Sequence, residues 1–294
     1  MKLLWLIESG NSEEVENKQW YLRDFRDTDV YGNTPLLIAC KQGNLRTVTW
    51  LLKHGSSIYE QNYRGKSPLL CAVENRHYQL VIWLLQKGCN IHIACNQGRT
   101  ALHLAVDNND FQMVELLLNN GSSLNERTRI GYTPLLLAAS KGNLNMIKLL
   151  LECGSSIDEK DYCNYNTLLL SIISKNYESV LWVLKHYPFL LEKTTKRGYS
   201  PFLLACHAGN LPIIKILLKY NCSITERSIE GYGPLHIAAM EGNLKLVEYL
   251  IGLDCNLEDE TNSGVTALQI IKKGHLFPYL SRFHRVKGPN KICL

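Results

Sequence analysis

No run of roughly 18 apolar residues occurs in the sequence, so it offers no membrane-spanning helix. Leu3 to Ile7 is apolar, but Glu8 follows at once; this is too short for a signal-peptide core, and the chain reads as made without a cleaved leader. There is no phosphate-binding glycine loop, no His-Glu-x-x-His zinc motif and no Gly-x-Ser-x-Gly nucleophile elbow, which removes three common enzyme signatures. Neither sign of charge dominates: 32 Lys and Arg against 27 Asp and Glu leave a net +5, too little to imply nucleic acid. Low-complexity stretches and linkers are missing too. Charged residues make up 20% and apolar ones 46% of the chain, enough for a packed core without disorder.

What the chain does have is a period. Gly32, Gly65, Gly98, Gly131, Asn164, Gly198, Gly231 and Gly264 follow one another at 33 residues, with one interval of 34 between Asn164 and Gly198. Thr128 to Lys160 shows the pattern in full. Thr133 can cap a helix that begins at Pro134, where a missing N–H costs nothing. Gly142 can end that helix in the left-handed region, and Asn143 can cap a second one. Leu144, Ile147, Leu150 and Leu151 then fall on one face, and Gly154 stops the helix. Such a unit cannot bury its apolar face alone; it needs a neighbour on either side.

The repeated core reads Thr34-Pro35-Leu36, Ser67-Pro68-Leu69, Thr100-Ala101-Leu102-His103, Thr133-Pro134-Leu135, Ser200-Pro201-Phe202, Gly233-Pro234-Leu235-His236 and Thr266-Ala267-Leu268. It resembles the ankyrin repeat over nearly the whole chain. The resemblance implies an all-α solenoid of helix–turn–helix units joined by β-hairpin-like loops, with a concave face that binds other proteins. It also implies that His103 and His236 bridge neighbouring loops.

The expected layout is an N-terminal capping half-repeat over 1–28, then seven repeats: 29–61, 62–94, 95–127, 128–160, 161–194, 195–227 and 228–260. A truncated C-terminal repeat and basic tail take 261–294. In the N-terminal cap, Leu3 to Glu8 reads as a first helix and Glu13 to about Leu22 as a second. The fifth unit departs from the pattern, with Asn164 for glycine, Asn166-Thr167-Leu168 for the Thr-Pro-Leu core and an extra residue near Pro188. Asparagine tolerates positive φ, so the turn is expected to survive. In the last unit, Leu276 to Leu280 holds a proline that suits only the first turn of a second helix.

Ten cysteines suggest a disulfide framework, and the register argues against it. Cys40 and Cys206 occupy the small-residue slot of Ala139; Cys89, Cys222 and Cys255 share the slot of Ser155. That is cysteine used as a small hydrophobe, as in a reducing compartment. Cys89-x-x-His92-x-x-Cys95 has ligand-like spacing but no evident fourth ligand, and each residue fits an ordinary loop slot. No metal or cofactor is expected. Cys163 takes a tip position, between Tyr162 and Tyr165, and no base is identifiable to activate it. Asn125, with Leu117 eight residues before it, occupies the slot that in the resembled family is a target of asparaginyl hydroxylation.

The residues after each turn position are Asn33, Lys66, Arg99, Tyr132, Tyr165, Tyr199, Tyr232 and Val265. Packed helices lie about 8–10 Å apart, whereas aromatic pairs need centroids within about 4.5–7 Å, so these tyrosines cannot fully satisfy one another. Either they pad their own loops or they form an exposed row. Tyrosine and arginine are the usual interface anchors. The candidate partner-binding residues are Tyr63, Arg64, Lys66, Arg99, Arg129, Tyr132, Tyr165, Arg197, Tyr199, His207 and Tyr232. Tyr31, Lys41, Lys141 and Lys196 flank them, and Glu74, Asp107, Glu230 and Glu241 are the acidic counterweights. The expected partner is a protein segment, extended or helical, that carries acidic and apolar residues.

This reading makes the chain a non-catalytic scaffold in the cytoplasm. The alternative is an enzyme inhibitor or regulatory subunit using the degenerate fifth unit. Abundant Asn, Lys, Ile and Tyr lean toward an effector delivered by an intracellular bacterium and acting in a host cytosol.

Overall fold

A computed structural model describes residues 2–18, 20, 21 and 24–273. The fold is an all-α repeat solenoid. Helices α1 (Lys2–Glu8) and α2 (Ser12–Asn17) precede seven helix pairs. These are α3 (Pro35–Gln42) with α4 (Leu45–Lys53), α5 (Pro68–Glu74) with α6 (Tyr78–Gln86), and α7 (Ala101–Asp107) with α8 (Phe111–Asn119). Next come α9 (Pro134–Ser140) with α10 (Leu144–Glu152), and α11 (Thr167–Ile173) with α12 (Tyr177–His186). The last pairs are α13 (Pro201–Ala208) with α14 (Leu211–Lys219), and α15 (Pro234–Met240) with α16 (Leu244–Gly252); α17 (Ala267–Lys273) follows. No described helix is long and apolar enough to cross a membrane. The expected second helix over 276–280 and the basic tail lie outside the described residues.

The elements form where single residues dictate them. Thr34, Ser67, Thr133 and Ser200 each accept the N–H three residues on, at 3.2–3.3 Å, with proline at the next position. Asn166 replaces them in the fifth pair, accepting from Leu169 at 2.9 Å. Second helices open on Asn44, Asp110, Asn176, Asn210 and Asn243 in the same way. First helices are buried nearly all round, as Pro35 to Cys40 are, whereas α4 buries only Thr47, Val48 and Leu51.

The described residues divide into two compact units, one up to 138 with 145–156, the other 139–144 with 157 to 273. In unit one, α1, α3, α5 and α7 pack successively on one another, and each also packs on the second helix of its own pair. In unit two the same is true of α11, α13 and α15, and α17 closes the row. The core of unit two runs from Leu168 and Leu169 through Phe202, Ile213 and Leu246 to Ile271. β-type pairing among the described residues is limited to the isolated bridges Lys160–Asn166 and Glu260–Thr266.

Two details differ from the expected layout. The N-terminal second helix stops at Asn17 rather than near Leu22. Trp20 Nε1 donates to the Val15 carbonyl at 2.7 Å, taking the acceptor that a further turn would use, and Lys18 turns extended. The chain then forms a 3-10 turn, Asp24–Arg26, that buries Phe25 beside Trp50, with centroids 5.8 Å apart. The extra residue of the fifth unit is taken up by a second 3-10 helix, Pro188–Glu192, which buries Leu190.

The turn between the helices of a pair needs a left-handed residue. Lys175 fills that slot at φ 60°, where Gly43, Gly142 and Gly209 stand elsewhere. A side chain there costs about 1–2 kcal/mol, and glycine returns about 0.5–1 kcal/mol as unfolded-state entropy. Lys175→Gly should therefore raise stability by about 0.5–1 kcal/mol, read from the urea midpoint at constant slope; a lower midpoint would refute this. The Oγ atoms of Ser56, Ser122 and Ser155, which share a slot with Cys89, Cys222 and Cys255, are buried and find no partner among the described residues. An unsatisfied buried hydroxyl costs about 1–3 kcal/mol, so the triple Ser→Ala variant should melt later than the wild type in calorimetry.

Candidate protein-interaction face

The turns before the first helices are built around one polar side chain. Asp29, Asn62, Thr128, Asp161, Thr195, Ser228 and Thr261 stand three residues before the left-handed residue. Each accepts the N–H of the residue just after it, at 2.8–3.2 Å. Cys95 holds this slot in the third unit, and its own N–H donates to the Arg99 carbonyl at 3.0 Å. Asn164 adopts φ 65°, so the turn that lacks glycine does survive.

Consecutive tips are laced together by backbone. In unit one, the N–H groups of Tyr63, Asn96 and Arg129 donate to the carbonyls of Tyr31, Arg64 and Gln97 at 2.9–3.2 Å. In unit two, Lys196, Ile229 and Asn262 donate to Cys163, Arg197 and Glu230 at 3.0–3.1 Å. At Gly98, φ 74°, a Cβ would lie 2.8 Å from Arg129 N, so a side chain there would part the two tips.

Eight positions after the residue that follows a tip, the chain is at or near the end of the same repeat's first helix. In unit one two of those pairs are ionic. Lys66 Nζ lies 2.5 Å from both Glu74 carboxylate oxygens, and Arg99 Nη1 lies 3.1 Å from Asp107 Oδ2. Lys66 is thereby mostly covered. In unit two the corresponding residues are Tyr165 with Ile173, Tyr199 with His207, and Tyr232 with Met240. The three tyrosines are half-buried and pack on the edge of the core, while Ile173 and Met240 are 42% and 56% exposed.

Burial, then neighbouring negative groups (Asp161 for Tyr165, Glu230 for Tyr199), raises both phenol pKa values, and Arg197 opposes it in each. No described residue accepts or donates a hydrogen bond at the three hydroxyls. Tyr232 also meets His236 edge-on at 6.2 Å. His207 Nδ1 is 2.8 Å from Glu241 Oε1, and Arg197 is exposed with no ion pair among the described residues.

The remaining candidates sit as follows. Tyr63 is 70% exposed with its ring over Gly32, and Arg64 stands 5.9 Å above the exposed Tyr31 ring. Arg129 is exposed at its tip, and Tyr132 is half-buried with its N–H on Thr128. His103 Nε2 lies 3.0 Å from the Tyr132 carbonyl and His236 Nε2 lies 3.1 Å from that of Val265. Each Nδ1 accepts from the cap residue's N–H, so the imidazoles do join neighbouring turns.

His92 is held by Glu126 at 2.6 Å and Cys95 is buried; no group of metal-ligating side chains is gathered among the described residues. Burial holds the Cys89 thiol pKa up near 11. Cys163 is exposed and the nine described cysteines are free. Asn125 is exposed beside a depression of about 430 Å³, lined also by Leu118, Ser122 and Cys153. The lacing of tips and the ion pairs eight residues apart were not anticipated; the polar hub residue three before each turn was the one available signal.

Helix pairs stacked through laced turns define a class of protein-interaction modules. A family model described as ankyrin repeats (three copies) matches residues 3–95, 60–128, 90–161 and 168–261, and the chain belongs to that family. No individual curated protein matches it.

Burial lowers the pKa of His103 and His236 from the ordinary 6.5, against the raising effect of the carbonyls they donate to. The folded state holds them neutral. Their contribution is therefore complete above about pH 6.5 and is lost as pH falls through the lower folded values. The urea midpoint should drop between about pH 7 and pH 5, and the His103→Gln, His236→Gln double variant should start lower and drop less. An unchanged slope with pH would refute this.

Proposed function

We propose that this chain is a non-catalytic scaffold or adaptor that holds a protein partner on the face made by its turn tips and first-helix ends. In unit one the surface is offered by Tyr63, Arg64, Arg129 and Tyr132, beside the paired Lys66 and Arg99. In unit two it is offered by Tyr165, Arg197, Tyr199, His207 and Tyr232. The observation that carries this reading is chemical. Unit two presents three half-buried tyrosines whose hydroxyls bond to no described residue, and exposed Ile173 and Met240, on a backbone already fixed by tip-to-tip hydrogen bonds. A preformed surface of that kind loses little entropy on binding, and Tyr and Arg are the side chains most often found as anchors. Its setting on this reading is the cytosol, that of a host cell if the protein is a secreted effector.

Photo-cross-linking distinguishes this face from the opposite one. A benzophenone amino acid in place of Tyr63, Arg129 or Arg197 should capture a discrete protein adduct. The same group at the second-helix positions Lys185 and Lys245 should not. Capture only from the second helices would refute the assignment.

A further inference from the structure

The free face of unit two has a repeat of its own, and this bears on what kind of segment it takes; the argument rests on the partner-binding role proposed above. Tyr165, Tyr199 and Tyr232 recur once per helix pair, and packed helices lie about 8–10 Å apart. No described residue bonds to their hydroxyls, which leaves those donors open to a ligand. In an α-helical ligand the carbonyls are already used, and an extended β-strand turns successive third residues to opposite sides. A polyproline II segment does neither: its carbonyls are free and it repeats every three residues, about 9.3 Å. Aromatic ridges with hydroxyl or amine donors are what such segments dock against.

At the ends of the same first helices, the slot eight residues on reads Ile173, His207, Met240: apolar, polar, apolar. His207 is held by Glu241, which leaves Arg197 as the cation of the central position, close enough to influence both the Tyr165 and Tyr199 phenols. Unit one lacks this arrangement, because Lys66–Glu74 and Arg99–Asp107 neutralise themselves.

We propose that unit two binds a proline-rich segment in the polyproline II conformation, with apolar residues six apart over Ile173 and Met240 and an acidic residue midway facing Arg197. The three phenols donate to backbone carbonyls at every third residue, and the proline rings lie between the tyrosine rings.

The probe is a blocked polyproline peptide with two leucines six residues apart and a glutamate midway, titrated into the full chain by fluorescence anisotropy. Saturable binding is expected. The triple variant Tyr165→Phe, Tyr199→Phe, Tyr232→Phe keeps the rings and removes the donors, and it should bind at least tenfold more weakly while its urea midpoint stays close to wild type. Arg197→Glu should weaken the glutamate peptide at least fivefold and a glutamine peptide much less. Glu74→Gln in unit one should change nothing. Replacing alternate prolines by glycine should cost about tenfold.

No saturation at millimolar peptide, equal binding of the glycine-interrupted peptide, or indifference to the triple Phe change would each overturn the proposal. Tip cross-links to a protein without peptide binding would sink only the polyproline ligand. Cross-links confined to the second helices would sink the reading beneath it.

Discussion

Wherever two consecutive turns meet within a unit, the backbone N–H of one tip reaches the carbonyl of the tip before it, at about hydrogen-bond length. That approach needs a residue at the turn that bends left-handed and projects nothing toward its neighbour, which is why Gly98 cannot carry a Cβ. The rest follows from this closeness. The tips are held at a set spacing, the first helices hanging from them stack in parallel, and their small buried residues, Ala39, Ala105, Cys40 and Cys206 among them, let the backbones come together. Buried cysteine thiols belong to this packing: burial raises the Cys71 pKa to about 12, which keeps the group neutral and inert.

The same spacing decides what the exposed positions can do. Where a turn folds back over its own first helix, the residue just after the tip can meet the one eight positions on or face outward. Unit one takes the first course with Lys66 and Glu74, and a pair that close gains little from any third charge. Unit two takes the second, since a phenol cannot be satisfied by Ile173 or Met240. The histidines show a further use of the interval. In the pairs that have His103 or His236, the imidazole ties the cap to the next turn. In two that lack it, the cap hydroxyls of Thr34 and Ser200 reach Glu60 and Glu226 instead.

Much of this was legible in the residues because single side chains carry it. Thr133 before Pro134, Asn143 after Gly142 and the 33-residue interval specify caps, stops and repeat with no knowledge of packing. The partnering of Lys66 with Glu74 was not legible: eight residues is neither a helical nor a strand spacing, and the pair exists only because a turn folds back over its helix. Nor was the early end of the second N-terminal helix, which depends on the Trp20 indole claiming a carbonyl five residues back. Lys175 carries no mark of its left-handed conformation, which its position in the stack imposes. Among the candidate residues, the basic Lys66 and Arg99 prove to have partners within their own repeats.

The 3-10 segment Pro188–Glu192 shows where the repeat is elastic. It adds a residue behind the second helix, yet Lys196 still meets Cys163 at the tip with an ordinary hydrogen bond. Length can thus be varied on that side without moving the turns out of step, so the region between a second helix and the following turn is where a longer loop, or an inserted domain, could be accommodated at small cost.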